Sequence, residues 1–180
     1  MSTRTIVVAG VFIAVAAVLA LSGLGYFPVP NVTDQATIMH VPAIIGGVLE
    51  GPLVGFLVSL VFGIDSYVRF RELPFEWGSE FNRILVLFGG RLLVGVLAAL
   101  VYRALRGKSQ IVALASAAVI GTAANTLSVL GLAVALGILP AAVFATVGPQ
   151  FLFEAIVAAL VTIAVVAAWR GLGTKGGSSI

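Results

Sequence analysis

"DQATIMHVPAIIGGVLEGPLVGFLVSLVFGIDS", residues 34–66, consists of two apolar runs separated by Glu50, Gly51 and Pro52. Glycine and proline end helices and favour turns, so the two runs are predicted to be separate helices. Each uncharged run has only about 14 or 15 residues, whereas a helix that crosses a bilayer by itself needs about 20. The stretch therefore predicts a helical hairpin that packs inside a bundle of longer helices.

The whole chain has a composition typical of a membrane protein. Of its 180 residues, 61% are hydrophobic and 9% are charged, and a water-soluble domain could not cover so much apolar surface. The expected fold class is an all-α integral membrane protein, a compact bundle of six transmembrane helices that forms one domain over residues 1–172. The Gly- and Ser-rich residues 173–180 are expected to be a disordered tail.

Turn residues and charges divide the chain into six predicted spans. The first run, uncharged from Thr5 to Thr33, is longer than the apolar region of a signal peptide, so we interpret it as a transmembrane helix. The fourth span begins either near Phe81 or at the glycine pair 89–90, and the segment LGILPAAVFATVGP at 136–149 separates the fifth span from the sixth. The predicted spans cover about 5–24, 35–49, 52–67 and 81–105, followed by two spans between 109 and 170.

The positions of the basic residues orient this bundle. They occur at Arg4, in the YRALRGK cluster at 102–108, and at Arg170 and Lys175, and six spans put all of them on one side. In the loop at 68–83, basic residues are offset by acidic ones. By the positive-inside rule both termini are predicted to be cytoplasmic and this loop external.

Polar groups from five predicted spans converge on the outer half of the bundle. The candidate substrate-binding residues among them are His40, Asp65, Arg91, Thr122, Asn125 and Glu154. Ionisable groups inside spans are costly and usually face a partner or a water-filled cavity, so their convergence predicts a site open to the exterior.

Each of these residues also has a structural explanation. Arg91 and Glu154 can form an ion pair with each other, and Asp65 can pair with Arg69 four residues later. His40 can be a hydrogen-bonded core residue, and the amide and hydroxyl groups of the fifth span can bridge packed helices.

Motifs for catalysis are missing from the sequence. GLGTKGG near the end lacks the spacing of a phosphate-binding loop, and no HExxH or GxSxG motif occurs. One histidine and no cysteine leave little for a metal site or a catalytic triad. The sequence therefore favours a binding protein that is not an enzyme and needs no cofactor or metal. A self-sufficient secondary transporter and a membrane-embedded enzyme are the alternatives, although no convincing internal repeat supports the former.

The sequence resembles a known family, the substrate-binding S components of energy-coupling factor (ECF) vitamin transporters. The similarity covers nearly the whole chain. It is most specific at ATIMHVPAIIGGVLEGPLVGFLVSLVFGIDS, which is similar to a signature of the pantothenate-type group, and GRLLVGVLAALVYRALR, GTAANTLSVLG and FEAIVAALVT are further matches. By this resemblance Arg91, Asn125 and Glu154 line a substrate pocket. Two positions depart from the family pattern, Asp65 in place of a small hydroxyl residue and Gly90 in place of a proline.

The resemblance also implies a function. An S component captures a small water-soluble vitamin from outside a prokaryotic cell membrane and delivers it through a membrane coupling protein and two cytoplasmic ATPases. A cationic Arg91 with the uncharged Asn125 and Thr122 suits a ligand that bears a carboxylate plus amide or hydroxyl groups, so pantothenate is the first candidate. Riboflavin, a pyrimidine precursor and folate are the alternatives, because Glu154 and Asp65 could neutralise the arginine or select a cationic or neutral ligand.

Helix 1 of this family carries a small-residue surface that packs on the coupling protein. In this sequence Ala16 and Ala20 have the expected spacing, and Gly10 with Ala14 forms a second pair. Small residues four positions apart let two membrane helices approach closely, so both pairs are candidate coupling residues.

Two aromatic residues outside the spans complete the candidate site. Tyr26 lies in the long loop after the first span, which is a candidate lid over the ligand. Trp77 lies in the loop before the fourth span, where it either closes over the ligand or anchors the protein at the membrane interface.

Overall fold

The computed structural model describes residues 1–31 and 35–171 as a helical bundle with one short strand pair. The predicted tail at 173–180 lies outside the described residues. In chain order the elements are α1 (Thr3–Ser22), β1 (Tyr26–Pro28), β2 (Gln35–Thr37), α2 (Val41–Glu50), α3 (Pro52–Phe70), α4 (Glu80–Leu87), a 3₁₀ turn (Gly89–Arg91), α5 (Val94–Leu105), α6 (Gln110–Ala135) and α7 (Val143–Arg170).

Five helical segments within the described residues are long and apolar enough to cross a bilayer. They are Thr3–Ser22, Pro52–Phe70, Glu80–Leu105, Gln110–Ala135 and Val143–Arg170. Together with the short α2 they confirm the predicted all-α bundle of six membrane helices.

The central hairpin turns where predicted, but only one of its helices is short, since α3 has 19 residues and is long enough to cross a bilayer. Helix α2 is only 10 residues long, and its residues 41–48 are all buried, because it contacts α1, α3, α5, α6 and α7. At the turn, Gly51 has a φ of 102°, which a residue with a side chain rarely adopts. Pro52 then opens α3, at a helix position where its missing N–H has no cost. Helix α2 is therefore the interior element around which the longer helices pack.

The start of α2 differs from the sequence-based boundary. That boundary lay near residue 35, but residues 35–37 form β2, which pairs antiparallel with β1. The Thr37 hydroxyl holds this extended backbone, since it donates to the Gly25 carbonyl at 3.0 Å and accepts from the Met39 N–H at 3.0 Å. The helix begins only beside Pro42, which lies in its first turn.

The fourth span is interrupted at its glycine pair. Helix α4 begins at Glu80, close to the first predicted start, and the 3₁₀ turn 89–91 separates it from α5. A β-carbon at Gly90 would lie 3.1 Å from a methyl group of Val129, and the Ser128 hydroxyl donates to the Gly90 carbonyl. The turn therefore packs closely on α6 and presents Arg91 to the bundle interior.

Glycines bring three helices into backbone contact at the centre. A β-carbon added to Gly95 of α5 would lie 2.5 Å from the Gly55 carbonyl oxygen and 2.6 Å from that of Ala43. Ser59 of α3 accepts the Gly95 N–H at 3.2 Å, and this satisfies one of the amides that have no partner within the first turn of a helix.

The two ends of the bundle differ. At one end Glu50 receives the Thr5 hydroxyl at 2.8 Å and pairs with Arg4 at 3.0 Å, so α1 is attached to the turn of the hairpin. At the other end lie the strand pair and the loops at 71–79 and 136–142, and these surround the cavity described next.

Candidate functional site

A cavity opens at the end of the bundle that carries the strand pair. It contains about 810 Å³ of space including its mouth, within the range of about 300–1,000 Å³ that small-molecule sites provide. Much of its wall is apolar and includes Phe70, Leu73, Phe75, Val86, Leu87 and Leu130. Its polar lining comprises Tyr26, Gln35, Thr37, Trp77, Arg91, Asn125, Thr126, Gln150 and Glu154.

Arg91 is the cation of this cavity. Its side chain is buried, with 7% of the residue exposed, and the guanidinium lies 5.2 Å from the ring centroid of Phe62. Its Nε has no hydrogen-bond partner among the described residues. The nearest carbonyl contact, to Val86, is long at 3.5 Å. Arg91 also takes part in none of the ion pairs found among residues 1–31 and 35–171, so the proposed direct pair with Glu154 does not form.

Asn125 and Trp77 offer two uncharged polar groups to the same cavity. Both are 6% exposed. The Asn125 Oδ1 atom, an acceptor, and the Trp77 Nε1–H, a donor, lack partners in the described part of the chain. Trp77 packs edge-on against Phe75 at 5.7 Å between centroids, so it belongs to the cavity wall and does not face the lipid as an interfacial anchor.

Glu154 lines the cavity but is already bound within the protein. The residue is 2% exposed. Its Oε1 accepts the backbone N–H of Thr37 at 2.7 Å and the side-chain amide of Gln150 at 2.9 Å. The carboxylate therefore joins α7 to β2.

Asp65 also binds to the strand pair, and it is not among the residues that line the cavity. Its Oδ2 accepts the hydroxyl of Tyr26, and its Oδ1 lies 3.7 Å from Arg69, the predicted ion pair. Burial, with Asp65 beside it, raises the pKa of Tyr26. The phenol therefore remains a hydrogen-bond donor throughout the physiological pH range.

His40 and Thr122 form a buried pair outside the cavity lining. Both are fully buried, and 3.0 Å separates His40 Nε2 from the Thr122 hydroxyl oxygen. The hydroxyl proton goes to the Ala118 carbonyl at 2.9 Å, so the imidazole donates from Nε2. This arrangement is that of a hydrogen-bonded core histidine, the structural explanation considered above.

Sequence reasoning missed four polar residues of the cavity, Gln35, Thr37, Thr126 and Gln150. Gln150 could have been found, since it precedes Glu154 by four residues and side chains at that spacing share one helix face. Gln35 and Thr37 lie in a region predicted as helix, where their backbone N–H and C=O groups would bond to one another within the helix.

The two small-residue pairs of α1 point in different directions. Ala16 and Ala20 are 0% and 8% exposed and pack into the protein's own core, so in this structure the other helices of the chain cover them. Gly10 and Ala14 are exposed, and nothing lies within 4 Å of the position that a Gly10 β-carbon would take. The pair left available to a partner is therefore Gly10 and Ala14.

Comparison with known families gave a match that spans the bundle. The chain matches the family model of the ECF transporter, substrate-specific component, over residues 4–166. That range contains the whole cavity lining. Comparison with the curated proteins found no match.

Proposed function

The chain belongs to the family of ECF transporter substrate-specific components, and from that premise we propose that it binds a small vitamin bearing a carboxylate, with pantothenate as the first candidate. The vitamin enters from the exterior and passes to a membrane coupling protein with two cytoplasmic ATPases. As a transport subunit of this family, the protein is not itself an enzyme.

The main support for an anionic ligand is the environment of Arg91. Its guanidinium is buried beside the cavity and has no carboxylate within 4.0 Å among the described residues. A buried charge without a partner is strongly unfavourable, and a ligand carboxylate can accept two parallel hydrogen bonds from the guanidinium. Glu154, the acid that lines the same cavity, already accepts hydrogen bonds from two donors within the protein. It is therefore less available to a cationic ligand, which supports an anionic one.

The remaining groups support a ligand that is polar at several points and apolar between them. Asn125 Oδ1 needs an N–H or O–H donor, and Trp77 Nε1–H needs an acceptor. The apolar wall needs a hydrocarbon surface to cover it. Pantothenate has a carboxylate, an amide, two hydroxyl groups and a branched apolar carbon, and so matches each requirement.

Titration calorimetry on the purified protein tests the ligand. We expect saturable one-to-one binding of pantothenate, and weaker or no binding of riboflavin, folate and a hydroxymethylpyrimidine. Tighter binding of a vitamin that has no anionic group would contradict the choice of a carboxylate while leaving the family role intact.

Purification from native membranes tests the coupling. We expect ATPase subunits and a membrane coupling protein to co-elute with this chain. Vitamin uptake by liposomes that contain this chain alone, without ATP, would instead indicate a self-sufficient secondary transporter.

A further inference from the structure

We propose that Glu154 is a positioning residue, which holds the β1–β2 strand pair over the cavity and does not itself bind the ligand. This role presupposes the binding site proposed above. The attachment itself consists of contacts within the protein, so it can be tested without any ligand.

The open edge of β2 explains why an acid is needed at this position. Among the described residues β2 pairs only with β1, so amides on its other edge require acceptors from elsewhere. The N–H of Thr37 is one of them, and Glu154 accepts it at 2.7 Å. A charged acceptor makes a stronger hydrogen bond than a neutral one, and here both groups are buried.

A second contact from the same face of α7 holds the other end of β2. Gln150, one helical turn before Glu154, donates to the Gln35 carbonyl at 3.1 Å and to Glu154 at 2.9 Å. Helix α7 therefore binds β2 at its first and its last residue, and the Gln150 amide couples the two attachments.

The opposite strand is attached to a different helix. On β1, the Tyr26 hydroxyl donates to Asp65 of α3, and the Arg69 guanidinium lies 4.4 Å from the centroid of the Tyr26 ring. The strand pair is thus fastened on both sides, and three of its residues, Tyr26, Gln35 and Thr37, line the cavity. Releasing it from α7 removes part of the cavity wall. We infer that Glu154 controls how long a ligand stays bound.

Hydrogen exchange measured by mass spectrometry on the purified, ligand-free protein tests this attachment. In Glu154→Ala, amides at 35–39 are expected to exchange about tenfold faster than in wild type, because a charge-assisted hydrogen bond is lost. Glu154→Gln keeps an acceptor oxygen and is expected to restore most of the protection. The matched control is Glu50→Ala, which removes a carboxylate of the same kind from the opposite end of the bundle and is expected to leave these amides unchanged.

Several results would overturn the assignment. Unchanged exchange at 35–39 in Glu154→Ala would do so, as would equal acceleration in every helix, which indicates general destabilisation. If Glu154→Ala does not fold, Gln150→Ala tests the same attachment, and unchanged exchange in that variant contradicts the proposal.

Ligand kinetics supply the second readout. With pantothenate as the probe, Glu154→Ala is expected to raise the dissociation rate about tenfold while a negatively charged ligand is still preferred. If wild type does not bind pantothenate, the choice of pantothenate as the ligand fails, and the exchange result still decides the role of Glu154. Reversal of the charge preference in Glu154→Gln would show instead that the carboxylate meets the ligand directly.

Discussion

A single side chain, Arg91, carries the proposal that the cavity accepts a negatively charged ligand. Arg91→Gln is expected to weaken pantothenate binding by about 2–5 kcal/mol, because it removes one partner of a desolvated charge pair. Arg91→Lys keeps the charge but loses the two-pronged geometry, so an intermediate loss is expected. Calorimetry measures both. The control is Arg71→Gln, which changes an exposed arginine paired with Glu72 outside the cavity. Unchanged binding in Arg91→Gln would contradict the anion site.

Gly95 is a single residue on which the packing of three helices depends. In Gly95→Ala the new methyl group would lie within 2.6 Å of two carbonyl oxygens, so the backbones of α2, α3 and α5 must separate. Overpacking of this kind costs about 1–3 kcal/mol, and a lower midpoint of thermal unfolding in detergent is expected.

Gly131→Ala is the matched control for this substitution. Gly131 also lies within a helix, and its β-carbon would meet nothing within 4 Å. Since alanine favours helix more than glycine does, stability is expected to be unchanged or slightly higher. Equal unfolding midpoints for the two variants would show that the close approach at Gly95 is not required.

Helix α1 has small residues on two faces. Ala16 and Ala20 face its own bundle, whereas Gly10 and Ala14 face outward. Gly10→Leu or Ala14→Leu is expected to reduce co-purification of the coupling protein about tenfold, since bulk there separates two closely packed helices. Ligand binding by the isolated chain is expected to stay intact. Ala164→Leu, on the exposed face of α7, is the matched control. Full assembly of both α1 variants would mean that the coupling protein binds elsewhere.

Ala16→Leu is expected to behave differently from these exposed substitutions. Ala16 is 0% exposed and packs in the main core cluster, so a larger side chain should lower thermal stability before it affects any partner. Unfolding midpoints in detergent separate the two cases. An unchanged midpoint would show that α1 can turn this face outward.

The distribution of charge over the whole molecule predicts its orientation in the membrane. Arg4, Arg170 and the cluster at 103–108 lie at the end opposite the cavity, where Glu50 is paired with Arg4. Because the sequence has no cysteine, Gly107→Cys and Glu76→Cys give single labelling sites. A membrane-impermeant thiol reagent added to intact cells is expected to label only the Glu76→Cys protein. The reverse pattern would place the cavity on the cytoplasmic side.

The amino-acid sequence is enough to predict the membrane bundle, the turn of the central hairpin and those candidate site residues that are isolated polar groups in apolar spans. The apolar run before Gly51 is too short to cross the membrane alone, and it forms the buried helix α2. The run after Gly51 continues as α3 to Phe70, which is long enough to cross. Arg91 and Asn125 stand out for a separate reason. A polar group in an apolar helix needs a partner or a cavity, so its presence already indicates the interior of the bundle.

Which way each apolar helix face turns, and which groups pair over long distances along the chain, follow only from how the helices pack. Helix α1 is apolar on all sides, and lipid is as apolar as a protein core, so no pattern in its sequence separates Ala16 from Gly10. Glu154 likewise binds Thr37, 117 residues away, and only the packing of α7 against the strand pair brings them together. An acid in a span signals that a partner exists, but its partner is set by the positions of the other helices.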